Sequence, residues 1–200
     1  YRIQDALVIK KYPCCGGNHA MLDSLFSMMR ENNFTYEDVA SAEVDQSYYS
    51  VVMLYQEPED SLKGKFSAKY NVAAALIDGE IGIETFRDEK IADETVQETM
   101  GKVRTRVLAK SEEGTTDIPK GLPIKITLKD GRVFEHTTAR RDIIGGSVNP
   151  WGFENIAKKF RINAGMVMPE RDVESAVNAW SDIPQMTDVS GEIRRTLVIS

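Results

Sequence analysis

Near the start of the chain, Lys10-Lys11-Tyr12-Pro13-Cys14-Cys15-Gly16-Gly17-Asn18-His19 gathers two ammonium groups, two thiols and a histidine around a pair of glycines. Glycine has no Cβ, so backbone at such a turn can approach a ligand closely. Lysine supplies charge for an anion, and histidine a nitrogen that exchanges a proton near neutral pH. Together they suit an acidic substrate from which a carbon-bound proton is removed. The same composition also describes a plain helix start, so the chemistry depends on what positions these groups.

The thiols admit other readings. Cys14, Cys15 and His19 are soft and borderline metal ligands, yet zinc sites favour C-x-x-C pairs with a second pair elsewhere, and no further cysteine exists. No metal is expected. Lys10 and Lys11 would favour a thiolate, against the default of a buried, inert thiol. Adjacent Cα atoms lie about 3.8 Å apart, short of the usual disulfide span, so a Cys14–Cys15 bridge is not expected and a reducing, cytoplasmic setting fits.

The elements that must carry these residues follow from periodicity. After a short strand around Leu7 to Lys10, Asn18 reads as the N-cap of a helix with Leu22, Leu25, Phe26 and Met29 on one face. His19 falls in its first turn, where the helix dipole favours the neutral imidazole. Asn32-Asn33 closes that helix, and a turn over Thr35 to Asp38 leads into a strand at about Ala40 to Val44. Phe66, Tyr70, Ala73, Ala74 and Ile77 trace a second helical face, with Ser67 as cap and Gly79 as the left-handed terminator. On periodicity alone Tyr70 is a core tyrosine with its hydroxyl satisfied.

Asp93 caps a further helix through Val96 and Met100, followed by a strand from Val103 to Ala109 and an exposed acidic loop from Ser111 to Gly121. Ile124, Ile126 and Leu128 then alternate with polar residues, and Asp130-Gly131 marks a hairpin turn into Arg132 to Thr138. A two-residue turn would pair Leu128 with Val133 and Ile126 with Glu135, sending His136 to the lysine-bearing face unless a bulge shifts the register. Asn149 as cap, Pro150 at N1 and a Val148–Phe153 staple predict a helix with Phe153, Ile156, Ala157 and Phe160 as its stripe. Another begins at Pro169 with Val173, Ala176, Val177 and Trp180. Gly145-Gly146, with Arg140 and Arg141 upstream, could seat an anion, though the spacing is not that of a phosphate loop. Interleaved helices and antiparallel strands predict an α+β two-layer sandwich, a mainly antiparallel sheet with helices on one face. Its core covers about residues 1–165, and a helical C-terminal extension covers about 166–200.

A net charge of −6 over 200 residues argues against a general polyanion binder, so no nucleic-acid partner is expected. No apolar run approaches the roughly 20 residues that cross a bilayer, and no membrane partner is expected. The chain opens on Tyr1 and enters an apolar segment at once, which suggests an excerpt from a longer polypeptide.

Four blocks in order resemble the 2-methylcitrate dehydratase (MmgE/PrpD) family, which also holds cis-aconitate decarboxylases and an iminodisuccinate epimerase. They are Lys10 to Cys15 with His19; Lys65 to Leu76 with Asp78-Gly79; Leu128 to Arg132; and Asn149-Pro150 followed by Lys159-Phe160. The resemblance implies the C-terminal domain of a cofactor-independent lyase or isomerase of small di- or tricarboxylates, most simply a 2-methylcitrate dehydratase. A helical domain would precede it in the same polypeptide, the cleft would lie between the two, and the enzyme would be a homodimer. It further implies that Tyr70, His19 and Lys10 are catalytic and that Lys11 and Cys15 bind substrate. Cys15 stands where some decarboxylases carry a histidine, and Ser147-Val148 replace the proline usual two residues before the Asn-Pro pair. The alternative is a non-catalytic binding or dimerisation module of the same fold.

Overall fold

Why β1 (Val39–Gln46) sits at the centre of a sheet is visible in its burial: Val39, Ala42, Val44 and Gln46 are buried, and a register shift between Val39 and Ser41 restarts the alternation. The computed structural model describes residues 8–47, 55–109, 121–139 and 142–197. With β2 (Val103–Val107), β3 (Leu122–Leu128) and β4 (Val133–Thr138), β1 forms a four-stranded sheet in the order β2-β1-β3-β4. β1 runs parallel to β2 and antiparallel to β3, which is antiparallel to β4. A parallel pair needs a long crossover. The helices between them supply it: α2 (Ser61–Lys65), α3 (Ala68–Asp78), α4 (Asp88–Ile91) and α5 (Glu94–Gly101).

Helices cover one face of the sheet, as the sequence predicts. α1 (His19–Asn32) lies on β3 and β4, and α3 lies on β2 and against α1 and α5. Ile124, Ile126 and Leu128 meet Leu22 and Leu25 there, all of them almost fully buried; each such side chain contributes roughly 1.5–3 kcal/mol. The opposite face carries ion pairs, Lys125–Glu43 at 3.0 Å and Arg106–Asp45 at 2.8 Å, worth about 1 kcal/mol or less each. α3 is buried all round from Tyr70 to Leu76, so it is a core helix. Its ends follow the sequence: Ser67 Oγ accepts from the Tyr70 amide at 3.2 Å, and Gly79 terminates it at φ 70°. Asp93 caps α5 in the same way, and Asn33 closes α1 in the left-handed conformation.

The chain divides into two compact units, Tyr1–Pro150 and Trp151–Ser200. In the second, α6 (Phe153–Ala164), α7 (Glu170–Trp180) and α8 (Val189–Leu197) pack around Ala157, Val173, Ala176 and Val177. Arg161 Nε pairs with Glu174 at 2.6 Å, and Trp180 Nε1 donates to Thr196 at 2.9 Å.

Three expectations are corrected. The hairpin loop has three residues: Gly131, at φ 89°, donates to the Leu128 carbonyl at 3.1 Å, and Leu128 N donates to Arg132 O at 2.9 Å. The left-handed glycine adds a residue and shifts the pairing to Thr127–Val133, Lys125–Glu135 and Ile124–His136. His136 therefore faces the helices. Asn149 and Pro150 precede α6 rather than starting it, because the Asn149 amide donates to Asp142 O at 3.2 Å and its carbonyl accepts from Gly145 N at 2.8 Å; Gly152 is the cap residue. Residues 8–10 form no strand. Leu7, the acidic segment 110–120 and Arg140-Arg141 lie outside the described residues.

Candidate functional site

The loop from Val8 to Asn18 is fastened at both ends by backbone. Ile9 N donates to Gly145 O at 3.0 Å, and Cys15 N donates to Lys65 O at 3.0 Å. Asn18 occupies the predicted cap position of α1 but makes no capping bond; its amide reaches Lys65 O at 3.5 Å, and a 3-10 turn over Gly16–Asn18 tightens the helix start instead. Tyr12 and Cys14 point into the core at 4% and 3% exposure. Lys10 is exposed, and its Nζ folds back to the Cys14 carbonyl at 3.0 Å; Cys15 is half-buried.

His19, the first residue of α1, is 1% exposed and meets the Tyr12 ring edge-on at 5.3 Å. It sits behind the loop rather than on its surface. Burial, with the neighbouring Cys15 thiol, pushes the Cys14 thiol up to about 12. At neutral pH Cys14 is a protonated packing residue.

Tyr70 is fully buried. Its hydroxyl donates to the Thr85 carbonyl and its ring lies 5.8 Å from Phe86. Burial raises its pKa, and Asp78 and Asp93 push the same way. It packs beside Gly64, where a Cβ would come within 3.4 Å of the tyrosine ring, and the next residue, Lys65, anchors the loop. The structure thus keeps Lys10, Lys11, Cys15 and His19 on one loop and helix start, and places Tyr70 in the core beside that loop's anchor.

Lys11 is less exposed than Lys10. Its Nζ lies 3.1 Å from Asp23 Oδ1 and 4.8 Å from the centre of the Tyr12 ring, and Tyr12 OH donates to the same carboxylate oxygen at 2.8 Å. Asp23 escaped the sequence reading, although it lies four residues after His19 and three before Phe26, on the buried face of α1. A carboxylate at a core-facing helix position is a signal, because such a group is rarely buried unless paired.

Two further groupings resolve as structure rather than chemistry. Ser24 Oγ lies 3.0 Å from His136 Nδ1 and 2.8 Å from Thr138 Oγ1, but Ser24 is fully buried, so this trio is a polar seam between α1 and β4. The amides of Gly145 and Gly146 donate to Asn149 O and Ile143 O, so the glycine pair serves backbone geometry and these amides are not open to an anion. Among the described residues, no three His, Cys, Asp or Glu side chains gather as metal ligands.

Beside the glycine turn lies a cavity of about 10 Å³ lined by Gly17, Asn18, Met21, Gln46 and Ala68 among others. Gln46 is 4% exposed, and neither atom of its amide has a hydrogen-bond partner among the described residues. An unpaired buried amide costs roughly 1–3 kcal/mol. Gln46→Met, which keeps the length and removes the polar atoms, is expected to raise stability by about 1 kcal/mol; a lower midpoint in urea titration would mean that the amide is satisfied.

Residues 12–182 match the sequence model of the MmgE/PrpD C-terminal domain. The chain is similar to cis-aconitate decarboxylase of Mus musculus, 29% identical over 139 residues that cover 66% of this chain and 26% of that protein. It is similar also to cis-aconitate decarboxylase of Homo sapiens, 28% identical over 142 residues, 66% of this chain and 27% of that protein. The chain spans about a quarter of the length of the curated relatives it matches.

Proposed function

Because the chain belongs to the MmgE/PrpD family through its C-terminal domain, we propose that it forms one wall of the active site of a lyase acting on small di- or tricarboxylates. The observation that supports this most is the loop over residues 8–18: rigidly tied at both ends, it presents Lys10 at the surface beside half-buried Cys15. A proton α to a carboxylate is hard to remove because charge builds on that carboxylate as it leaves, and a fixed ammonium offsets the charge. Lys10 is assigned that role, and Cys15 lines the site.

His19 and Tyr70, the proton carriers expected from the resemblance, are buried in this conformation. In this reading they hold the wall in shape, His19 behind Tyr12 and Tyr70 beneath the Lys65 anchor. Tyr70 takes part in proton transfer only if its hydroxyl leaves the Thr85 carbonyl. The acid and base then come from a helical domain of the same polypeptide, with a homodimer as the assembly. The scheme uses no organic cofactor or metal.

Within the class, dehydration of 2-methylcitrate is the leading assignment, supported by Cys15 at the position where some family decarboxylases carry a histidine. Decarboxylation of cis-aconitate is the second reading, supported by the names of both relatives. Assaying the complete polypeptide against 2-methylcitrate, cis-aconitate and iminodisuccinate decides between them. Loss of water from 2-methylcitrate is expected; release of carbon dioxide from cis-aconitate would favour the second reading. Inertness toward all three would remove the lyase assignment in favour of a binding or dimerisation module.

A further inference from the structure

We infer that Asp23 is the positioning residue of the substrate-facing loop, and that it holds Lys11 away from the ligand so that Lys10 alone meets a substrate carboxylate. The second half rests on the lyase reading above; the first does not.

Asp23 is only 8% exposed at its side chain and draws donors from two segments besides its own helix. Oδ1 accepts from Tyr12 OH at 2.8 Å and from Lys11 Nζ at 3.1 Å, and Oδ2 accepts from the Ile144 amide at 3.2 Å. One carboxylate therefore joins the loop over residues 8–18, α1 and the loop over residues 142–149. The Ile9–Gly145 backbone bond ties the same two loops a second time. A carboxylate buried to this degree is tolerated when a cation and hydrogen bonds satisfy it. Lys11, 23% exposed at its side chain, is the cation that does so. Swinging Lys11 toward a substrate would leave Asp23 buried with no positive partner among the described residues and would lift the ammonium off the Tyr12 ring. Lys10 is exposed, and its Nζ donates to the Cys14 carbonyl at 3.0 Å.

The inference predicts that Lys11 behaves like Asp23, not like Lys10. In the complete protein, Asp23→Asn and Lys11→Met should each lower the hydrogen-exchange protection of the Ile144 amide by roughly tenfold or more, through local opening of the tie. Asp23→Glu, which keeps the charge, should recover part of it. Lys10→Met should leave that protection at the wild-type value and instead lower kcat/KM by roughly 100-fold or more, mostly through kcat. Lys11→Met lowering kcat/KM as far as Lys10→Met, with Ile144 protection intact, would overturn the inference. Should the variants fail to fold, the wild-type protein decides the point. On titration with tricarballylate, the Lys10 Cε resonance is expected to shift and that of Lys11 to stay, and the reverse overturns the assignment. If neither moves and no carboxylate is turned over, the lyase reading fails together with the Lys10 half of the inference. The exchange measurement still passes or rejects Asp23 as the loop's positioning residue.

Discussion

Gly145→Val is expected to destabilise the first unit by about 3–5 kcal/mol, a large share of the 5–15 kcal/mol that holds a typical domain together. Gly145 has φ 97°, a conformation that L side chains rarely adopt, and a Cβ there would overlap the carbonyl oxygen of Ile9. That oxygen belongs to backbone and cannot swing aside. Ile9 moves only by giving up its own hydrogen bond to the Gly145 carbonyl, the tie between the loop that carries Lys10 and the loop that follows β4. Thermal unfolding should show a melting temperature lower by roughly 10 °C or more for a chain of this size. Gly79→Ala is the matched control. Gly79 also has positive φ, at 70°, but nothing lies within 4 Å of its missing Cβ, so backbone strain alone should cost about 1–2 kcal/mol. Equal losses at the two positions would show that the contact with Ile9 adds nothing.

On the lyase reading, Lys10→Met in the complete protein is expected to reduce kcat/KM by roughly 100- to 1000-fold, the range found when one preorganised charge or donor is taken from a developing anion. Methionine matches the length of the side chain and removes only the ammonium, so packing changes little at this exposed position. Lys10→Arg should recover part of the loss, because charge is retained while the compact ammonium becomes a planar fork. Steady-state kinetics on the carboxylate substrate measures both. A Lys10→Met enzyme within a factor of two of wild type, at saturating and at limiting substrate, would remove Lys10 from the reaction.

Much of the frame could be read from residue spacing, because the signals are local. Ser67, Asp93 and Gly79 act at the helix ends where their chemistry puts them, and the Leu22–Leu25–Phe26 stripe faces the sheet as its period requires. Errors arose where a residue had two competing partners. Asn149 has the right chemistry for a cap, yet its backbone and side chain are engaged with Gly145 and Asp142. Asn18 gives its amide to Lys65, far away in sequence. At the Asp130-Gly131 turn a single extra loop residue reverses the face of every following side chain, which carried His136 from the expected open surface to the α1 seam. The site was legible as a set of residue types but not as a geometry. Lys10 and Lys11 are adjacent and chemically alike, and only the fold sets one at the surface and the other on Asp23. Periodicity put Tyr70 in the core, and the structure holds it there.

The pairing of β1 with β3, which joins Val39 to Leu128, has a consequence for the order of events during synthesis. β1 leaves the ribosome long before its antiparallel neighbour exists, and contacts between such distant segments form slowly because a long loop has to close first. Until β3 and β4 arrive, α1 lacks the two strands it packs against, and Asp23 has no Ile144 amide to bind. The corner where Asp23 joins the Lys10–Lys11 loop to the loop after β4 is therefore among the last parts to take shape in a nascent chain, and a stalled or truncated translation product ending before β4 carries its lysines on an unfinished surface.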